Sequence, residues 1–324
     1  MKNTSHVFGP VPSRRLGRSL GVDLVPMKTC SYDCVYCQLG RTPETTVDRA
    51  EYAPVGEVIA EVSRKLSAGV AADYVTLSGS GEPTLHARLG GVIERLKGIT
   101  DIPVAVLTNG SLLWNDDVLR ELRSADVVLP SLDAGDAALF AHVNRPHPAI
   151  TFDRMLDGLT RLRDAFPGKI WLEVMLLGGI TGVEAEARKL AALAERIRPD
   201  VVHLNTAVRP AAEEFAFALT DDELRRLRPL FGPTAELAAR HDPAREDPGF
   251  SGCATDITEL LRRRPCTVGD IAGALGIHRN EVVKYLEGLT RSGAVVARQR
   301  GRDRYYHAPA PGPEPTETGT GGTP

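Results

Sequence analysis

Apolar positions along the chain fall into two alternating textures. Six short runs are rich in β-branched residues and close on Gly, Asn, Ser or Asp. They are SLGVDLVP (19–26), YVTLSGSG (74–81), IPVAVLTNG (102–110), DVVLPSLDA (126–134), KIWLEVMLL (169–177) and VVHLNTAV (201–208). Each is too short and too uniformly apolar for an amphipathic helix, so together they predict buried parallel strands. Between them, VGEVIAEVSRKLSAG (55–69), LGGVIERLKGI (89–99), TFDRMLDGLTRLRDAF (151–166) and EAEARKLAALAERI (184–197) repeat apolar residues at helical spacing. Strand–helix alternation predicts βαβ units in an α/β domain over 1–240. Six units fit a partial (β/α)6 barrel better than a full eight-fold barrel, which takes about 250 residues.

The texture changes at HDPAREDPGFSGC (241–253), whose Pro, Gly and charge read as a linker over 241–252. Beyond it, DITELLRRR (256–264), TVGDIAGALG (267–276) and RNEVVKYLEGLTRSG (279–293) are short helical patterns, and AVVARQRGRDRYYH (294–307) reads as a hairpin. Three helices and a hairpin predict a winged helix-turn-helix domain over 253–308. The tail over 309–324 is rich in Pro, Gly and Thr and is expected to be disordered.

Composition narrows the class. Apolar residues make up 42% and charged residues 25%, and the net charge of −3 confines any polyanion-binding surface to a local patch. The N-terminal MKNTSHVFGPVPSRR has no apolar secretory segment, and no stretch reaches the roughly 18 apolar residues of a membrane span, so a cytoplasmic protein with no membrane partner is expected. There are five cysteines, three of them within eight positions. An odd, tightly clustered set in a reducing compartment predicts a metal site rather than a disulfide framework.

The cluster is C-x3-C-x2-C at Cys30, Cys34 and Cys37, placed just after the first predicted strand. A [4Fe–4S] cube usually takes four thiolates. Here Cys253 and Cys266 lie more than 200 residues away, in the other predicted domain. A cube held by three thiolates leaves one iron open to a chelating amine and carboxylate, as in an open catalytic metal site. The strand ends of such domains carry the chemistry. A zinc knuckle, the other use of such a spacing, needs a fourth ligand, and His6 and His86 sit in unrelated contexts.

This motif, with an aromatic residue before its last cysteine, resembles the signature of the radical S-adenosylmethionine (SAM) superfamily. The resemblance implies a [4Fe–4S] cluster and SAM as cofactors, with reductive cleavage of SAM to a 5′-deoxyadenosyl radical fed by an external flavodoxin- or ferredoxin-like electron donor. It also implies that Tyr36 packs near the adenine. SGSGEPTLH (78–86) resembles the motif that holds the SAM amino group, with Glu82 as acceptor, Gly81 allowing close approach and Ser80 in place of a glycine. Asn109 is either a turn residue before Gly110 or points into the site. Ser131 and Asp133 share a face at period two and suit the SAM ribose and methionine end, although Asp133 also reads as a helix cap. Glu173 is a carboxylate inside an apolar run, which calls for a partner. GGITG (178–182) partly resembles an adenine-contacting loop and brings in Ile180, and Asn205 ends the sixth strand.

A longer series, from FGPVPSRRLGRSLGVDL through VNRPHP to HLNTAVRP, resembles the radical SAM proteins described as related to wyosine-base tRNA modification, over roughly 8–235. The wyosine-forming enzymes hold a second cluster through upstream cysteines, and no cysteine precedes Cys30 here. The resemblance therefore implies the core chemistry and leaves the substrate open. Arg14, Arg15, Arg18, Asn144, Arg145, His147 and Arg209 are the substrate-side candidates, with surface solvation as their alternative. Residues 279–307 hold seven basic and three acidic side chains, a net of +4. That suits RNA or DNA phosphates, or else a protein-docking module with a solvated wing. A non-enzymatic Fe–S sensor binding DNA through the winged helix is the alternative function. Cys253 and Cys266 read as ordinary small buried residues.

Overall fold

The structure, a computed structural model, describes residues 5–208, 211–238, 248–263, 265–300 and 303–309. Arg209, Arg302, the segment 241–247 and the tail beyond 309 lie outside the described residues. The six apolar runs become consecutive parallel strands: β2 (Gly17–Val22), β3 (Tyr74–Leu77), β4 (Val104–Thr108), β5 (Val127–Pro130), β6 (Lys169–Met175) and β7 (Val201–Asn205). Two strands join them. The first, β1 (Val7–Ser13), pairs antiparallel with β2, and β8 (Ala235–Leu237) pairs parallel with β7. The sheet thus has eight strands in sequence order rather than six. β1 escapes a periodicity reading because Gly9, Pro10 and Pro12 interrupt it and its register shifts between Phe8 and Val11; an edge strand tolerates proline. β8 has only three residues.

The helical patterns form α1 (Val55–Ser67), α2 (Leu89–Lys97), α5 (Phe152–Ala165) and α6 (Glu184–Ile197). Three helices of seven residues each, α3 (Asp116–Leu122), α4 (Ala137–Val143) and α7 (Asp221–Leu227), are too short for their periodicity to stand out. Asn115, Asp136 and Thr220 cap them by accepting backbone N–H groups. The reading of Asp133 as a helix cap is corrected here, because Asp136 takes that place.

Strand alternation divides the sheet into two faces. Ile170, Leu172 and Val174 face the helices and join Leu159, Leu162, Leu190 and Ile197 in the main core. Burying each such side chain is worth about 1.5–3 kcal/mol. Trp171 faces the opposite way, onto the other face of the sheet, where Leu16, Ala105, Val127 and Leu129 pack together. Between β5 and β6 the ladder stops where Pro130 lacks a donor and resumes at Ser131–Glu173, so the strand ends can spread there.

The C-terminal residues form α8 (Pro248–Arg263), α9 (Val268–Leu275), α10 (Arg279–Arg291) and the hairpin β9 (Val296–Arg300)–β10 (Asp303–His307). α8 begins inside the expected linker, with Pro248 at its first position, where a missing N–H costs nothing. These elements have their own core of Ile257, Leu261, Ile271, Val282, Leu286 and Val295. α10 lies against β1. Gly9 N–H donates to Glu281 at 2.7 Å, the His278 ring stacks on Phe8 with centroids 4.6 Å apart, and His278 Nε2 lies 3.3 Å from Asp23.

Candidate functional site

The long connection from β2 to α1 carries the three clustered cysteines at the C-terminal ends of the parallel strands. Its backbone is fixed at several points. Val35 N–H donates to Val143 O, Asp33 N–H to Asn144 O and Thr46 N–H to Cys30 O. Asp33, Arg41, Arg145 and Glu213 form an ion-pair network that ties this loop to the end of α4. Arg145 is therefore a brace rather than a substrate contact. His147 likewise caps a turn through Ala149 N–H, and Arg18 pairs with Asp73 at the opposite end of β2.

All five cysteines are free. Each of the three loop sulfurs has a side-chain nitrogen donor: Asn109 Nδ2 at 3.7 Å from Cys30, Asn144 Nδ2 at 3.5 Å from Cys34 and Lys28 Nζ at 3.2 Å from Cys37. Burial pushes the Cys30 thiol up to about 12, assisted by the Glu82 carboxylate. Cys34 is raised well above its ordinary value by burial, the Asp133 carboxylate and the two neighbouring sulfurs. As bare thiols these groups stay protonated. A cationic cluster inverts that preference, since a coordinating thiol is deprotonated outright. Among the described residues no three His, Cys, Asp or Glu side chains converge as ligands of a single ion. Three thiols on one loop could hold a cluster in which each thiolate binds a different iron.

Around the loop the other candidates fall into two sets. In the first, Glu82 is 2% exposed and accepts from Thr84 N–H, Thr84 Oγ1 and Thr108 Oγ1 on Oε1, and from Asn109 N–H on Oε2. Oε2 thus keeps room for a further donor. Burial raises the Glu82 carboxyl, and the Thr108 and Thr84 hydrogen bonds oppose the rise. Gly81 presses so closely on Thr29 that a Cβ would meet its carbonyl oxygen at 1.8 Å, and a Cβ on Gly79 would strike the Asp23 carboxylate. Asp23 also holds the loop through Ser80 N–H at 3.0 Å and Ser80 Oγ. The Asn109 side chain serves Cys30 and Ser31.

In the second set, Asp133 accepts from Tyr36 Oη, Asn144 Nδ2 and Met175 N–H, and burial raises its carboxyl against these bonds. Tyr36 and Ile180 join one apolar cluster with Met175. Ser131 bridges to Glu173, which pairs with Arg15 and accepts from Asn205 Nδ2 at 3.0 Å. Arg15 reaches this point because the β1–β2 turn folds against the face of the sheet that carries Trp171, with Leu16 packed on it. A cavity of about 260 Å³ runs between Cys34, Cys37 and Tyr36 on one side and Glu173, Met175 and Asn205 on the other, with Arg14 and Arg15 at its wall.

Sequence reasoning placed Asn144 on the substrate side, whereas its Nδ2 joins Cys34 to Asp133. It overlooked Thr84, whose partner Glu82 is two residues away, and Lys28, Thr108 and Asp23, whose roles depend on partners 9 to 57 residues away. It also overlooked His203, 7% exposed in register with Glu173, whose ring burial and the Arg15 charge hold at a pKa of about 4. Only the alternation of VVHLN would have marked it as facing away from the helices.

Three free thiols with individual donors, set beside buried carboxylates at the C-terminal edge of a parallel sheet, form an arrangement that could hold an iron–sulfur cluster. Comparison with known proteins agrees. The profile of the family described as the Radical SAM superfamily matches residues 24–191. A protein named GTPase Obg from Brachyspira hyodysenteriae is 41% identical over 297 residues, covering 90% of this chain and 43% of that protein. A UPF0026 protein of Methanocaldococcus jannaschii is 39% identical over 210 residues, covering 64% of this chain and 65% of that protein. The chain thus spans less than two thirds of either relative. The phosphate-loop pattern G-x4-G-K-[ST] does not occur in this sequence, and the GTPase name is that relative's alone. Among solved structures, a radical SAM methyltransferase from Sphaerobacter thermophilus superposes with a TM-score of 0.51 at 19% identity, over 68% of this chain and 66% of that one, a likeness of fold.

The chain belongs to the radical SAM superfamily, whose members bind a [4Fe–4S] cluster and SAM. No described helix is long and apolar enough to cross a membrane.

Proposed function

We propose that Cys30, Cys34 and Cys37 hold the [4Fe–4S] cluster and that SAM occupies the cavity beside them, so that the enzyme abstracts hydrogen from a substrate at that cavity. The observation that carries this is that each loop sulfur has its own side-chain N–H donor, an arrangement with little use around neutral thiols and a clear one around cluster sulfur. The cofactors, when bound, supply the one-electron cleavage that yields a 5′-deoxyadenosyl radical. The chain's own groups bind and orient. Glu82 Oε2 receives the SAM ammonium, Tyr36 and Ile180 flank the adenine, and Asp133, held by Tyr36 and Asn144, fixes the wall between them. Gly81 keeps the backbone low. Ser131, Glu173 and Asn205 line the far side, toward the ribose and the substrate.

The electron comes from an external flavodoxin- or ferredoxin-like donor in a reducing, cytoplasmic compartment, which suits five free thiols. The order α8, α9, α10 and hairpin, with Cys266 and Tyr306 exchanging backbone hydrogen bonds, supports reading this module as a winged helix. Its net positive charge favours RNA as substrate, reached through the hairpin, since the first turn of α10 is engaged by β1. The test is anaerobic reconstitution followed by dithionite and SAM. Roughly four irons per chain and release of 5′-deoxyadenosine are expected. Undiminished product from Cys30→Ala would overturn the assignment.

A further inference from the structure

The site cavity does not end at the cluster loop. Gln38 and Leu39, directly after Cys37, line both the 260 Å³ cavity and a larger cleft of about 710 Å³. One wall of this cleft is the cluster loop, through Gly40 and Arg41. The opposite wall is the C-terminal module, through Arg279, Gln299 and Arg304. The described lining contains three guanidinium groups and no carboxylate. Arg41 is engaged by Asp33 and Glu213, whereas Arg279 is exposed and Arg304 donates its Nε–H to Gln299. Val268 and Gly269, in the first turn of α9, line the same space, and the Asp270 carboxylate of that turn is taken up by Thr267 N–H and Oγ1 in a capping box. The two walls are held together by the contacts of α10 with β1: the His278–Asp23 pair, the Phe8–His278 stack and the Glu281 hydrogen bond to Gly9.

We propose that this cleft binds the phosphate groups of the substrate while the reacting part passes Gln38 and Leu39 into the site cavity. The inference rests on the radical-enzyme reading above. Planar guanidinium forks match phosphate oxygens. A recess of this volume admits a chain of a few nucleotides or a small phosphorylated molecule, whereas docking a folded partner takes a broad surface of about 800 Å² on each side. The module is then a wall of the substrate site rather than an independent reader of duplex DNA.

The test is equilibrium binding to the full chain. Anisotropy of a labelled twelve-nucleotide single-stranded RNA is measured, with inorganic tripolyphosphate as competitor, for wild type, Arg279→Gln, Arg304→Gln and the doubly substituted chain. Arg225→Gln on α7 serves as a charge-matched control. The double substitution is expected to weaken binding at least about tenfold and to lower the slope of log K against log salt by about one per arginine, with Arg225→Gln matching wild type. Competition by tripolyphosphate at concentrations that leave the Arg225→Gln complex equally affected identifies a small phosphorylated molecule as a sufficient ligand; RNA binding without such competition identifies a strand. Absence of binding by both probes, or equal binding by all variants, overturns the proposal. Wild-type cleavage of SAM without substrate is measured separately, so loss of the cleft and loss of the radical chemistry are told apart.

Discussion

The five cysteines divide between two regions that treat the same side chain in opposite ways. In the module, Cys266 is 1% exposed and sits in an apolar core, its backbone paired with Tyr306. Cys253 is half-buried against the same core. There the thiols sit against apolar side chains, with Tyr285 hydrogen-bonded to Cys253. In the loop after β2, Cys30, Cys34 and Cys37 are partly buried too, but each meets an amide or ammonium donor, and two buried carboxylates, Glu82 and Asp133, stand nearby. Burial alone does not distinguish the two groups. The amide and ammonium donors at the loop sulfurs, and the buried carboxylates beside them, do.

The sharpest way to break this contrast is by substitution of the cysteines themselves. Cys34→Ala or Cys37→Ala is expected to abolish iron retention and 5′-deoxyadenosine formation, whereas Cys253→Ala and Cys266→Ala keep both, as read by iron content after anaerobic reconstitution. Next in size is Glu82→Gln. Loss of a carboxylate partner for an ammonium is worth about 1.5–3 kcal/mol, or roughly 10- to 100-fold in SAM affinity by calorimetry. Gln retains an acceptor for Thr84 and Thr108, so the fold is expected to survive, and an unchanged affinity would remove Glu82 from the SAM site. Asn144→Ala separates donor from ligand. Removing a group that orients a metal ligand typically costs 10- to 100-fold in affinity or activity, so faster cluster loss to a chelator is expected with the three cysteines intact.

The smallest effects concern stability. Cys266→Ala is expected to cost about 1 kcal/mol in urea denaturation, a packing loss with no cluster signature. His203 offers a pH signature. Its folded pKa of about 4 lies below the unfolded value near 6.5, so the unfolded chain takes up the proton first. Stability from this group is full above about pH 6.5 and is lost as pH falls toward 4. His203→Phe should flatten that part of the profile in thermal melts of the cluster-free chain.

Much of the core was legible because its signals are local. Alternating apolar runs and helical periods are properties of seven to fifteen neighbouring residues, and the same holds for C-x3-C-x2-C. β1 was not legible, because its glycine and prolines spoil the alternation and its pairing depends on β2. Asn144 reads as a substrate-side residue, and Lys28 carries no signal, until the fold brings each to a sulfur. Arg18 and Arg15 lie three positions apart in one arginine-rich stretch, yet one pairs with Asp73 outside the sheet and the other with Glu173 inside it.

By itself, then, the sequence determined an α/β core with the cysteine motif at a strand end, and a small helical and hairpin module after it. Periodicity and spacing are written in one dimension. Tertiary structure decided which donors face the sulfurs, how Glu82 is satisfied and which arginine reaches Glu173. It also decided that α10 rests on β1 and makes a cleft with the cluster loop. Most of those outcomes depend on contacts between residues dozens to hundreds of positions apart, and only the closed fold brings such residues within hydrogen-bonding distance.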